Sequence, residues 1–339
     1  MAAVSLEQIQ PLPANGAQAQ FCYAFAAMAC RCEVVLAAPS AAQGLQLAQL
    51  AQAEVQRIEA KYSRYRADSV LSGLNASAGG APCALDAESA ALLDYAAALY
   101  QESGGLFDIS AGVLRRAWDF RSGRRPSPDA LQALLPLVGW PRIQRFVEQG
   151  QHWLQLPAGM EVDFGGFGKE YAADRAAAIL QQAGVAHGYL NLGGDMRILG
   201  PQSDGQPWRI AIQHPRQPQQ SIASLALAGG ALTTSGDYER FLIEDGQRHC
   251  HILLPHSGQS VRYFQSVSVI APLAIVAGSA CTLAMLMQQD GEAYLQNSGL
   301  AWLTVGPSGE VKRCDLPGEG AGVIGATHTK SDKLNACAS

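Results

Sequence analysis

Lys169 follows Gly165, Gly166 and Gly168 in a segment that reads DFGGFGKEYAADRAAAILQQAGVAHGYLNLGGDMRILG from Asp163 to Gly200. Ala172, Ala173, Ala176, Ala177, Ala178, Ile179 and Leu180 then favour a helix, and Gly184 is a stop signal. Glycines ahead of a helix let backbone N–H groups approach an anion, and the helix N-terminus adds a favourable dipole. Lys169 at that opening can neutralise phosphate charge. A strand is expected over residues 188–192, then a second turn, Gly193-Gly194-Asp195. The pattern reads as a phosphate site at a loop–helix junction, or else as two ordinary glycine turns. The familiar phosphate motifs do not fit. A P-loop needs a glycine where Asp163 stands and a Ser or Thr where Glu170 stands, and G-x-G-x-x-G is absent.

The segment resembles the signature of the FAD:protein FMN transferase, or ApbE, family, roughly D-(L/F)-G-G-(I/V)-(A/G)-K-G-Y-A-x-D, a helix, then N-x-G-G-(D/N)-(I/M)-x-x-x-G. Asp163, Lys169, Tyr171, Asp174, Asn191, Gly193, Gly194 and Gly200 match, while Glu170 replaces the usual glycine. Other stretches match in order. Ala27-Met28-Ala29-Cys30 resembles A-M-G-T/C, and residues 62–75, from Tyr62 to Asn75, resemble F-S-x-Y-x-x-D-S…L-N. Gly105-Leu106-Phe107-Asp108-Ile109-Ser110 resembles G-x-F-D-x-T. Thr234-Ser235-Gly236-Asp237-Tyr238 matches T-S-G-x-Y, and residues 251–258 resemble H-I-(I/L)-(D/N)-P-x-T-G.

The resemblance implies transfer of FMN from FAD, with magnesium, to a Ser or Thr hydroxyl of an acceptor protein, releasing AMP. It implies flavin and adenine contacts from Met28, Tyr65, Phe107, Asp108, Lys169 and Gly258. Met28 and Phe107 are equally readable as core, whereas Tyr65 and Asp108 carry polar ends that need partners. His251, on an expected strand, is the candidate base, and its alternative is a satisfied structural histidine. His249, Cys250 and His256 lack the closed ligand spacing of a zinc site. The magnesium ligands implied are Thr282 and the carbonyl of Gly166. The family's third ligand, an aspartate in A-D-A-x-x-T, is replaced here by Gly278 in Ala277-Gly278-Ser279-Ala280-Cys281-Thr282. That loss of a charged oxygen ligand implies a weak metal site. It leaves open an FAD-binding relative with altered activity: a flavin carrier, a partner-binding module or an FAD hydrolase.

Several elements must position these residues. Residues 41–61 have helical composition with Leu47, Leu50, Val55 and Ile58 as apolar positions. Asp86 is an N-cap for a second helix ending near Ser103, and Ser127-Pro128-Asp129 opens a third. Residues 267–287 read as strand, turn and buried helix. A short helix near Glu292 and a strand at 300–305 follow. Strands and helices mix without βαβ alternation, so the expected class is α+β, a two-lobed mixed architecture in a single unit. Residues 1–20 are expected to be a loose leader, 21–316 the flavin transferase domain and 317–339 a flexible tail. The net charge of −5 and the lack of a basic stripe argue against nucleic acid. No apolar run is long enough to span a membrane. No secretory signal is visible, so the chain as given reads as cytoplasmic, or periplasmic if a signal segment was removed. Eight cysteines are consistent with a reducing compartment, and Cys30 and Cys32 are expected on one side of a strand.

Overall fold

Val34, Val35 and Leu36 follow one another and all three are buried, so the strand that carries them is covered on both faces. The computed structural model describes residues 6–12, 19–120 and 123–314. Its N-terminal part runs β1 (Glu7–Leu12), β2 (Ala19–Ala27), β3 (Cys30–Ala38), α1 (Ala41–Tyr62), α2 (Val70–Ala76), β4 (Cys83–Leu85) and α3 (Ala87–Glu102). A 3₁₀ segment (Ile109–Arg116) and α4 (Pro128–Leu134) lead to β5 (Gln144–Glu148) and β6 (Gln151–Gln155). Then come α5 (Gly168–Gln182), β7 (Gly188–Leu192), β8 (Asp195–Gly200), β9 (Trp208–Gln213) and β10 (Ser221–Leu227). β11 (Gly230–Gly236), β12 (Phe241–Glu244), β13 (Gln247–Cys250) and β14 (Ser266–Ala271) follow, and α6 (Ala274–Met287), α7 (Gly291–Asn297), β15 (Ala301–Val305) and β16 (Val311–Cys314) end it.

Nine strands form one sheet in the order β1-β2-β3-β7-β8-β11-β14-β15-β16. Every neighbouring pair is antiparallel. Val34, Leu36, Leu190, Leu192, Val267 and Val269 point to the face that α1, α5 and α6 cover. Val35, Tyr189, Ile198, Leu303 and Val305 point to the other face, under the β9–β10 hairpin. There the Tyr189 and Trp208 rings meet edge to face at 4.8 Å. The class is therefore α+β, with the small β4-β6-β5 sheet and the β12–β13 hairpin outside the main sheet.

Each helix has a local reason. Ser40, Asp86 and Ser127 accept backbone N–H bonds at the N-termini of α1, α3 and α4. α1 buries Gly44, Ala48, Ala51, Val55, Ile58 and Tyr62, a three-to-four spacing that presents one face to the sheet. α5 buries Ala172, Ala173, Ala176 and Ala177, small side chains that admit close neighbours. α6 is buried nearly all round, and its own N-cap, Leu273, offers no side-chain acceptor. Asp174 of α5 serves instead. Its Oδ1 accepts from the N–H of Ala274 at 2.9 Å and its Oδ2 from that of Ile275 at 2.9 Å. Arg197 of β8 donates to the same carboxylate at 3.0 Å. A second network joins α1, α3 and α5: Arg57 and Tyr171 both donate to Glu88, and Arg57 and Arg175 to Glu54.

One expectation is corrected. Residues 7–12, assigned from the sequence to a loose leader, form β1, an edge strand paired with β2 from Glu7↔Ala24 to Leu12↔Gln20. Pairing to β2 supplies the order that local composition does not reveal. The expected tail, 317–339, lies outside the described residues. Among those residues, no helix is long and apolar enough to cross a membrane.

Asp174→Ala removes both caps of α6 and strands the half-buried Arg197. It should lower stability by about 2–4 kcal/mol. Urea denaturation of the two proteins measures this; a loss under about 0.5 kcal/mol, the surface-substitution range, would contradict the role given to Asp174.

Candidate functional site

The glycine loop is held from behind. Asn75, in α2, donates through Nδ2 to the carbonyl of Val162 at 3.0 Å and accepts the N–H of Val162 at 2.8 Å. Asp163 accepts from the N–H of Gly165 at 2.8 Å and from Arg64 at 2.9 Å, with Arg115 3.5 Å away. Burial pushes the Asp163 pKa up, but Arg115 and Arg64 outweigh it and keep the carboxyl below its ordinary range. At Gly166 the loop passes so close to Phe107 that a Cβ would lie 2.8 Å from its ring. Phe107 stacks on Phe167, centroids 6.1 Å apart. The loop therefore reaches the first turn of α5 in one defined path. Phe167, the N-cap of α5, provides no side-chain acceptor for the first-turn N–H groups.

Lys169 and Glu170 start α5. Lys169 Nζ is 2.6 Å from Oδ2 of Asp195, which is buried at the start of β8. Burial lowers the Lys169 pKa, and the Asp195 and Glu170 carboxylates raise it by more. Glu170 lies over Gly278 of α6. A Cβ on Gly278 would sit 2.6 Å from Glu170 Cγ and 2.9 Å from both Cδ and Oε1. Burial, with the Asp195 charge adding to it, pushes the Glu170 pKa up to about 8. Its Oε2 has neither solvent access nor a hydrogen-bond partner. Thr282 follows Gly278 by one turn of α6, on the same face.

His251 falls just past the end of β13, in a bend, rather than on the expected strand, because pairing with β12 ends at Cys250↔Phe241. Its N–H donates to the Arg240 carbonyl at 2.9 Å, and its Nδ1 is buried without a partner. Burial, together with the charges of Arg115 and Arg240, pushes its pKa down to about 4. Lys169 also acts on it electrostatically. His249 is buried against Trp118, ring centroids 6.0 Å apart.

The remaining expected contacts divide. Met28 and Ala29 both have positive φ, 52° and 59°, in the tight turn between β2 and β3, and the Met28 N–H donates to Glu59 at 2.7 Å. Tyr65 is 77% exposed, with the Arg64 guanidinium over its ring, so its hydroxyl is not committed within the fold. Phe107 is buried in the main core. Asp108 caps the 3₁₀ segment: its Oδ1 accepts from the Ser110 N–H and hydroxyl, and its Oδ2 from the Trp140 N–H. Those bonds occupy the carboxylate that the sequence assigned to a flavin contact. Gly258 has φ +66°, and its carbonyl accepts from Trp118 Nε1 at 2.8 Å. Cys30 and Cys32 point to one side as expected, Sγ atoms 3.9 Å apart.

The structure thus brings Gly166 against Phe107 and, next to Lys169, Glu170 against Gly278, with Thr282 one turn further along α6. Asp195 and Arg115 join them without having been singled out from the sequence. Glu170 was noted only as a departure from the motif. The signal for Asp195 was its position directly after Gly193-Gly194; Arg115 had none, since its partner Asp163 is remote in sequence. A cavity of about 320 Å³ between Tyr95, Ser279 and Tyr294 lies on the opposite face of α6 and is not part of this arrangement. Among the described residues, no group of three or more His, Cys, Asp or Glu side chains could hold a metal alone. The junction offers backbone donors and an ammonium for a phosphate, and carboxylate and hydroxyl oxygens for a hard cation.

Known proteins share this arrangement of elements. The chain is 31% identical over 257 residues to the FAD:protein FMN transferase of Salmonella typhimurium, covering 73% of each chain. The FAD:protein FMN transferase of Treponema pallidum is 31% identical over 249 residues, 69% of each. Among solved structures, the ApbE protein of Thermotoga maritima superposes with a TM-score of 0.79 at 26% identity, over 92% of this chain and 97% of that one. The flavinyl transferase ApbE of Pseudomonas stutzeri in its apo form gives 0.75 at 25% identity, over 92% and 96%. The profile of the ApbE family matches residues 28–304, most of the described fold with its glycine loop and both helices, so the chain belongs to the ApbE family.

Proposed function

We propose that the protein is an FAD:protein FMN transferase. The loop–helix junction carries this reading. It presents the first turn of α5, which has no side-chain cap, with Lys169 beside it, to a phosphate-bearing ligand. In the reaction, an acceptor hydroxyl attacks the phosphorus of the FMN half of FAD. A new P–O ester bond forms, the pyrophosphate P–O bond breaks, AMP leaves, and the hydroxyl proton passes to a base. Catalysis of this kind is mostly positioning and charge neutralisation. Lys169, steadied by Asp195, and the α5 N-terminus offset phosphate charge. Magnesium, when bound, would add Lewis-acid stabilisation of the same oxygens, held by Thr282 and the Gly166 carbonyl. His251 takes the proton at its unpartnered Nδ1. Tyr65, with a free hydroxyl and an exposed ring, is suited to a flat ligand, and Met28 stands in the turn before β3. Asp108 and Gly258 act by shaping the backbone on which the ligand rests.

His251→Ala should leave FAD binding within a few-fold and slow transfer about a hundredfold, the scale of a lost general base. A stopped assay of FMN attached to a Ser/Thr-containing acceptor peptide measures it, and an unchanged rate would return His251 to a structural role. The pH profile follows from burial. The base must be unprotonated, and its pKa is lowered to about 4, so at saturating magnesium the rate should hold as pH falls through 6.5. It should drop only on approach to the folded pKa; an acid limb centred near 6.5 would contradict a buried base.

The protein should also bind FAD more tightly than FMN, because the junction grips the pyrophosphate as well as the flavin. Flavin fluorescence titration tests this, and equal affinities would count against the proposed site.

A further inference from the structure

We infer that Glu170 is the charged ligand of a divalent-cation site at the start of α5, its carboxylate occupying the space that Gly278 leaves on α6. The inference rests on the proposed reading of the junction as a phosphate-transfer site, and it concerns which residue of this chain completes it.

Three observations carry it. First, Glu170 Oε2 is buried and has no hydrogen-bond partner. A buried carboxylate oxygen without a partner is costly and calls for a counter-group. The groups that act on this carboxylate are Asp195, Lys169 and its own backbone N–H. The lysine is already committed to Asp195 at 2.6 Å. Two carboxylates therefore share one ammonium, and the oxygen left without a partner is Oε2 of Glu170.

Second, Glu170 is seated where it is by the missing side chain on α6. With a Cβ on Gly278 only 2.6 Å from Glu170 Cγ, no other residue fits opposite it without moving it. The two departures from the family motif, glutamate for glycine on α5 and glycine for aspartate on α6, are thus one feature in space. The carboxylate has changed helix. The weak metal site expected from the sequence followed from counting position 278 alone.

Third, the donors nearby are hard oxygens. Thr282 lies one turn beyond Gly278 on the same face of α6, and the glycine loop opens onto the first turn of α5. Too few acidic or imidazole side chains gather here to enclose an ion by themselves. That is the donor set of magnesium rather than of zinc or calcium. Magnesium commonly takes one or two carboxylates and completes its shell with substrate phosphates and water.

The test uses Mn²⁺ as the probe, with free ion followed by electron paramagnetic resonance, with and without FAD. The wild-type protein should bind Mn²⁺, more tightly when FAD is present. Glu170→Gln keeps the shape and removes the charge; it should weaken Mn²⁺ binding by about tenfold or more, as loss of a ligand does. The double variant Glu170→Gly/Gly278→Asp should recover affinity to within a few-fold, since the carboxylate is returned to α6. Absence of Mn²⁺ binding by the wild-type protein, or an unchanged affinity in Glu170→Gln, overturns the inference. A parallel transfer assay separates it from the function proposed above. Transfer by Glu170→Gln with wild-type metal dependence would sink this inference and leave that function standing. Mn²⁺ binding that depends on Glu170 in a protein that transfers no FMN would do the reverse.

Discussion

The approach of α5 to α6 is the constraint on which the site depends, and one carboxylate sets it. Asp174 takes both leading N–H groups of α6 and the Arg197 guanidinium. Arg197 in turn donates to the carbonyls of Ile198 and Gly230, on β8 and β11. Helix, helix and sheet are joined through a single side chain. Glu170 lies one turn before Asp174 on α5, and Gly278 one turn past the capped residues on α6. Once Asp174 is placed, those two positions must meet. The alanines of α5 permit the separation, because longer side chains there would hold the helices apart.

A division of labour runs through the motif residues. Asn75, Asp163, Tyr171 and Asp174 match the family pattern, yet each spends its polar atoms on the fold. Asn75 brackets the backbone of Val162, Asp163 gathers Arg64 and Gly165, and Tyr171 donates to Glu88. Asn191 likewise accepts the N–H of Gly194 and shapes the second glycine turn. These bonds fix a loop whose backbone faces the ligand. Oε2 of Glu170 and Nδ1 of His251 are among the buried side-chain atoms of the described residues that have no partner, as are Gln20 Nε2, Trp153 Nε1, His249 Nδ1 and Thr304 Oγ1. What sets these two apart is their kind, a carboxylate oxygen and an imidazole nitrogen on or next to the motif residues.

Much of the fold was legible because its signals are local. Asp86 and Ser127 cap the helices they were expected to cap, and the apolar run from Ala274 to Met287 is a buried helix with those bounds. The loop–helix–strand–turn unit around Lys169 was readable from glycine spacing and alanine content. β1 was not, since its order comes from pairing with β2 rather than from its own composition. Nor was the end of β13, which left His251 in a bend. The bonds Asp108 makes within the fold were not readable in full, because one of its partners, the Trp140 N–H, lies 32 residues away. Glu170 could not be read correctly from the sequence alone: its meaning depends on a glycine 108 positions later, and nothing local joins them.

The fit of Glu170 to Gly278 also constrains how such a pair can arise. Any side chain on position 278 collides with the stem of Glu170, so an aspartate there and a glutamate at 170 cannot coexist in this packing. The route between the two arrangements is therefore ordered. Position 278 must be glycine before a long acid can settle on α5, and position 170 must be emptied before α6 can regain one. Every single-step path crosses a state with no carboxylate or with a crowded helix pair. The effect of a substitution at either position therefore depends on the residue at the other.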